Sequence, residues 1–268
     1  MKKLKFLIID LMRQILQKDV LNQSAIVAFN AFFSAFSMLF LATTIIGFFS
    51  EEYKLYENLI VVTSKYMPPE IIRIIADNAY AVLPDESYTA VILSLVFALF
   101  MGTNVFHILI SILNSINGIK ETRSFVKVRL LSLFFLILFI IFTVIAAALL
   151  FKWSFICKSV LCSFVWLAVA VFIISFAVSY FIKKGLNLPF RLPEIFPGGL
   201  FYAVSFIIIN KMLQSIFIII SGSNATYGTL SAIMFILTWF QLNSFLLIIS
   251  SMIIVIIKSR KVVNVQAG

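Results

Sequence analysis

A chain of 268 residues with 62% hydrophobic and only 12% charged side chains is not an ordinary soluble domain, in which about 25% of residues carry charge. Thirty Phe, a mean hydropathy of +1.11 and a succession of apolar runs, each long enough to cross ~30 Å of hydrocarbon, predict an all-α polytopic membrane protein; a β-barrel would show short alternating segments instead. The formal charge of +10 suits nucleic acid in general, but its distribution along this chain accounts for it without nucleic acid.

In chain order, residues 2 to 20 place Leu4, Leu7, Ile8, Leu11 and Ile15 on one helical face, with Lys2, Lys3, Lys5, Arg13 and Lys18 largely elsewhere. This pattern predicts an amphipathic helix lying in the membrane interface over residues 1–23. A signal peptide is the competing reading and is not expected, because Asp10 and Arg13 interrupt its apolar core and no small-residue cleavage site follows. The six-span domain covers 24–257, with spans expected at Ser24–Phe49, Tyr88–Asn114, Val128–Phe151, Val160–Ile182, Pro197–Ile220 and Gly228–Ile257, and a tail at 258–268. The first span carries Asn30, Ser34, Ser37 and Thr44 in one sector, a face suited to neighbouring helices.

Residues 51–87 form the one long external segment. Pro69 suits a first helical turn, and Ile71, Ile72, Ile74, Ile75, Ala79 and Val82 oppose Glu70, Arg73, Asp77 and Asn78. The segment reads either as a cap on the bundle or as a gate or docking site for an envelope protein partner.

On the second span Asn104, His107, Ser111, Asn114 and Gly118 follow at i, i+3, i+7, i+10 and i+14, one narrow stripe that would be costly against lipid. It lines a helix interface or an aqueous cavity. His107, the sole histidine, reads as hydrogen-bonded structure or as a proton carrier. The third and fourth spans are almost purely apolar and read as lipid-facing scaffold, with Cys157 and Cys162 taken as free apolar residues because their spacing does not suit a disulfide. The following loop supplies Lys183, Lys184 and Arg191, with Pro189 and Pro193 expected to break any helix before the fifth span.

The hairpin Pro197–Ile257 organises the rest. Lys211 is the one charge deep inside an apolar run, and an ammonium at membrane depth costs on the order of 3 kcal/mol. With Asn210 and Gln214 on the fifth span, Gln241 on the sixth, Asn30 on the first and the stripe of the second, it frames a cavity for an anionic group, a carboxylate or a lipid phosphate. The alternative is that Lys211 snorkels to the outer interface while the amides tie helices together.

Charge sets orientation. The segments on the side of the N-terminus (1–23, 115–127 with Arg129, 183–196 and 258–268) hold fifteen of the 21 Lys and Arg, whereas seven of eleven acids lie between Glu51 and Glu86. The positive-inside rule then puts both termini in the cytoplasm.

Three stretches carry a resemblance. The segment Ile112–Arg123, with Leu113, Asn114, Gly118, Glu121 and Arg123, the Pro197–Gly198 pair, and Tyr227–Gly228 with Trp239 downstream resemble the YihY/BrkB family of bacterial inner-membrane proteins. The resemblance covers roughly Ser24–Ile257 and implies six spans with both ends inside. Members were once labelled a ribonuclease and are otherwise described as transporters or virulence-linked factors. Where the family often has Pro in the first span, this chain has Ser37.

The readings are therefore a transporter or translocator of an anionic solute or lipid, or a scaffold that recruits an envelope partner through 51–87. An enzyme is not expected: the acids Asp10, Asp19, Glu121 and Glu194 are scattered, with no metal-ligand spacing and no nucleophile beside a base. No metal or cofactor is implied, and membrane lipids are the expected surroundings. Glu121 is expected to pair with Arg123, Arg129 or the 183–196 loop, as a structural clamp or as a gate latch.

Overall fold

A computed structural model describes residues 2–49, 88–156, 160–189, 191–221 and 228–266. The described residues form seven helices: α1 (Lys2–Gln17), α2 (Val20–Phe49), α3 (Tyr88–Ile116), α4 (Phe125–Ile156), α5 (Val160–Gly185), α6 (Leu192–Ser221) and α7 (Gly228–Gln266). The last six each contain a stretch long and apolar enough to cross a membrane, so the described residues form an all-helical membrane protein with six spans among them. The helices expected within 51–87 and the two cysteine side chains lie outside the described residues.

Helix boundaries follow from end chemistry. Asp19 adopts φ 51° and turns the chain between α1 and α2, a conformation that Asp tolerates better than most side chains. Its carboxylate accepts from Asn22 Nδ2 at 2.7 Å and its carbonyl from the Gln23 N–H at 3.1 Å. Leu11 and Ile15 of α1 pack on the core, while Ile9, Met12 and Leu16 are exposed. Burial lowers the pKa of Lys18, whose ammonium donates to Gln14 Oε1 at 2.9 Å.

The fifth span begins earlier than its prolines suggest. Pro193 does not break the helix; α6 starts at Leu192 with Pro193 in its first turn, where backbone N–H groups have no helical partner to lose. Glu194 Oε2 accepts from the Arg191 N–H at 3.1 Å while the Glu194 N–H donates to Arg191 O at 3.0 Å, a reciprocal cap. Pro197 lies inside the helix and, having no N–H, leaves the Pro193 carbonyl without its helical donor.

The chain divides into two compact units. Unit 1 comprises residues 1–27, 106–212 and 241–268; unit 2 comprises 28–105 and 213–240. The core of unit 1 joins Val20 and Val27 to Leu109, Ile110, Leu113 and Ile116 of α3, Phe135 of α4, Phe181 and Ile182 of α5, Ile195 of α6, and Ile248, Met252 and Ile254 of α7. Phe135 and Phe181 meet edge to face at 4.6 Å, with Phe106 6.3 Å and 6.1 Å away. Side chains such as Leu130, Phe134, Ile137 and Ile141 on α4 and Phe172 and Phe176 on α5 are exposed, as lipid-facing positions are. Half of the α7 span is buried, against 22% of those on α4 and α5, so α7 is the most enclosed of the six.

Within unit 2, Phe29, Phe32, Phe33 and Phe36 pack along α2 in tilted and edge-to-face pairs. Ser34, Ser37, Ser94 and Thr103 are buried there, and the hydroxyls of Ser37 and Thr103 donate back to Phe33 O and Leu99 O. Self-satisfaction of this kind lets small polar side chains sit at helix contacts without a partner helix supplying an acceptor.

Candidate functional site

The densest polar structure lies where α3 ends. Gly118 has φ 66°, the Ile119 N–H donates to Asn114 O at 2.9 Å and the Gly118 N–H to Ser115 O at 3.0 Å. This is the Schellman ending, in which the residue past the helix takes the left-handed conformation that glycine adopts without a Cβ penalty. The turn points the next residues, KETR, back at the end of α5.

There Glu121 and Arg123 form a two-pronged ion pair, with Arg123 Nε 2.7 Å from Oε1 and Nη2 2.6 Å from Oε2. The Arg123 N–H also donates to Oε1 at 3.0 Å. The same guanidinium donates to Lys184 O at 2.9 Å and Gly185 O at 2.7 Å, so it caps the last carbonyls of α5 with positive charge. Hydrogen bonding by Arg123 holds the Glu121 carboxyl below its ordinary value of 4.5, against the opposing effect of burial. Bidentate charge-assisted bonds of this kind are roughly twice as strong as neutral ones.

Asn114, 2% exposed, completes the knot. Its amide hydrogens are shared among Ile110 O at 2.9 Å, Gly185 O at 3.0 Å and Glu121 Oε2 at 3.2 Å, and its Oδ1 accepts from the Asn187 N–H at 2.9 Å. Asn187 Nδ2 returns to Thr122 Oγ1 at 2.7 Å and Lys120 O at 3.1 Å. Beside the knot, Asn117 Nδ2 donates to Ser251 Oγ of α7 at 2.9 Å. Sequence reading named neither Asn117 nor Asn187. The Gly185-Leu186-Asn187 that follows the basic end of α5 is the signal that could have found the second of them, since Gly and Asn mark a helix end.

The Pro197–Gly198 motif is a packing device. A Cβ on Gly198 would run into the Ile254 side chain and Ser250 O, and one on Gly199 would run into the backbone of Ser175 and the hydroxyl of Ser179. Ser250 Oγ donates to Gly198 O. Glycines thus bring α6 against α5 and α7 at backbone distance, as small residues do in membrane helix pairs. The hydroxyls of Ser175 and Ser179 are buried with no hydrogen-bond partner among the described residues.

The residues proposed for a cavity distribute between the units. Asn30 and Asn104 belong to unit 2, where Asn104 Nδ2 donates to Asn30 Oδ1 at 3.0 Å. Gln214 also falls in unit 2, with its side chain outside the described residues. His107, Ser111, Asn114, Asn210, Lys211 and Gln241 belong to unit 1. His107 lies edge to face with Phe125 at 5.5 Å, its Nδ1 buried without a hydrogen-bond partner among the described residues. Ser111 is exposed, Asn210 donates to Phe206 O on its own helix at 2.7 Å, Gln241 is half-buried and Lys211 is exposed. Asn114, Gly118, Glu121 and Arg123 thus come together in one cluster, whereas the rest of the polar stripe does not join it. Tyr227 lies outside the described residues, Gly228 opens α7, and Trp239 packs edge to face with Phe240 at 5.1 Å. Among the described residues no three of His, Cys, Asp and Glu come together as metal ligands would.

Comparison with known proteins agrees with the motif reading. The family model "Virulence factor BrkB" matches residues 11–267. The chain is 25% identical over 220 residues to the ribonuclease-like protein YfkH of Bacillus subtilis (strain 168), covering 76% of this chain and 79% of that one. No solved structure matches. With six spans, the Asn114–Glu121–Arg123 knot and a family match over nearly its whole length, the chain belongs to the BrkB family of multi-pass membrane proteins.

Proposed function

We propose that this protein is a bacterial inner-membrane transporter or translocator, with both termini in the cytoplasm, that moves an anionic solute or lipid along a polar path between its helices. The orientation rests on the charge count: fifteen of 21 basic residues fall on the side of the termini. The observation that carries the transport reading is Lys211, an exposed ammonium two thirds of the way along α6 and within the Pro193–Leu213 span. A charge kept in a span marks a pathway by default. His107 Nδ1, buried with no partner among the described residues, supplies a second polar atom at membrane depth.

The ribonuclease label of the Bacillus relative has less support in this chain. The Glu121 carboxylate, the acid within the family motif, is occupied by Arg123 and Asn114, and phosphodiester cleavage by metals needs carboxylates free to hold ions. RNA cleavage by the pure protein, abolished in Glu121→Gln, would reverse this reading.

The deciding assay is phospholipid translocation in liposomes with a quenchable fluorescent lipid, wild type beside Lys211→Ala at equal reconstitution. Movement by wild type and not by the variant is the expected result. Equal movement by both makes Lys211 structural. Movement by neither, together with no flux of small anions, leaves the scaffold reading through 51–87.

A further inference from the structure

Three chain segments meet at the side of unit 1 where the spans of α3, α5 and α7 end and that of α6 begins. Arg123 donates to Lys184 O at 2.9 Å and Gly185 O at 2.7 Å, Asn187 Nδ2 to Lys120 O at 3.1 Å, and Lys258 Nζ to Pro189 O at 2.6 Å. These bonds gather Lys120, Arg123, Lys183, Lys184, Arg191 and Lys258 around one loop, with Glu121 and Glu194 as the acids of the same segments. Both acids are engaged within the protein: Glu121 accepts from Arg123 and Asn114, and Glu194 from the Arg191 N–H. Lys120, Lys184 and Arg191 are exposed, so the charge that the patch turns outward is positive.

Two further features say what such a patch meets. The first is depth. The spans end or begin here at Ile116, Gly185, Pro193 and Ser259, which puts Lys120 four residues beyond one span, Arg191 two before another, and Lys184 and Lys258 one residue inside the ends of theirs. Long basic side chains at such positions extend to the level of the lipid headgroups. The second is Leu188, 36% exposed on the loop between Lys184 and Arg191 and beside an exposed Pro189. An apolar side chain left open among cations suits the boundary between headgroups and hydrocarbon, where both kinds of group find a partner.

From these features we infer that the patch formed by Lys120, Lys184 and Arg191 is a binding site for the phosphate of an anionic phospholipid headgroup, in the leaflet on the side where these span ends meet. Basic pockets between the ends of membrane helices take such headgroups. The polar knot prepares the site, because Asn114, Glu121 and Arg123 fix the 120–123 turn to the end of α5, and cations on a fixed backbone need less ordering when lipid arrives. Preorganisation of this kind separates a site from the diffuse positive charge that orients membrane proteins in general. The site would hold lipid whether or not the protein transports anything.

The test uses the full chain in detergent with equal amounts of phosphatidylglycerol and phosphatidylcholine, bound lipid being counted by native mass spectrometry. Wild type should retain phosphatidylglycerol in preference. Arg191→Gln should lower that preference about fivefold, the scale for one cation at a headgroup, and Lys120→Gln, Lys184→Gln and Arg191→Gln together by roughly tenfold or more. Lys2→Gln, Lys3→Gln and Lys5→Gln together remove the same charge from α1 and should leave the preference within about twofold. Melting temperatures show which variants fold, and the single Arg191→Gln carries the test if the triple variant does not. An equal loss from the α1 variant would mean diffuse charge, and no preference in wild type, or an undiminished one in the patch variants, would mean that these cations bind no headgroup; each overturns the inference. Displacement of the bound lipid by millimolar glycerol 3-phosphate would assign the patch to a soluble phosphate ester and overturn it as well. Because retention reads occupancy, its failure is separate from a failure of lipid translocation.

Discussion

Two asparagines on α3 show how differently this protein uses one side chain. Asn114 sits at the end of the helix and spends its amide on backbone groups of two other segments, Gly185 O and the Asn187 N–H. Asn104, at membrane depth in unit 2, donates to another side chain, Asn30. The first arrangement fixes where chain segments end, because backbone groups cannot rotate away. An amide pair can trade its partner for a ligand or a water at little backbone cost, which the first kind of contact cannot do.

The comparison breaks most visibly at Arg123. Arg123→Ala removes the donor to Glu121, Lys184 O and Gly185 O together and should cost about 3 kcal/mol, read as a fall in melting temperature in detergent, with Arg123→Lys losing less. Gly199→Ala should follow at about 2 kcal/mol, because the obstacle is Ser175 backbone that cannot give way; a cysteine cross-link between α5 and α6 would report their separation. Asn104→Ala should cost about 1 kcal/mol or less, and if the pair is exchangeable it should alter lipid or anion flux, the activity proposed above, more than melting.

A smaller effect sharpens the contrast through pH. The folded-state pKa of Glu121 lies below its ordinary 4.5, so its pairing contributes stability at all pH above that value and loses it as pH falls through the depressed one. Melting should be insensitive to this group near neutrality and fall under acid, a slope that Glu121→Gln removes. Least of all, Ser111→Ala should change stability within about 0.5 kcal/mol, since the side chain is exposed.

The six spans were legible because crossing a bilayer depends on length and apolarity alone, which a sequence states directly. The sequence offered Glu121 three partners, Arg123, Arg129 and the 183–196 loop, and the pairing falls on the nearest of them, Arg123. The further acceptors of Arg123, the carbonyls of Lys184 and Gly185, were not legible, since every residue carries a carbonyl and none advertises which will be left open. Asn114 shows the same limit: periodicity places it on a stripe with Asn104 but does not say what stands opposite. Pro193 misled for a local reason, since a proline in a first turn and one in a helix interior look alike until the cap by Glu194 is known.

The clamp also sets a clock. Glu121 and Arg123 are two residues apart and can pair as soon as both are made, but their acceptor at Gly185 is 62 residues downstream of Arg123 and 71 from Asn114. At typical synthesis rates the ribosome needs roughly 3–12 s to supply that stretch. During that interval α4 and α5 must thread the bilayer while the hook waits ready-made, so the lock closes only on a correctly returned α5, and a misoriented α5 would find no hook on its side of the membrane.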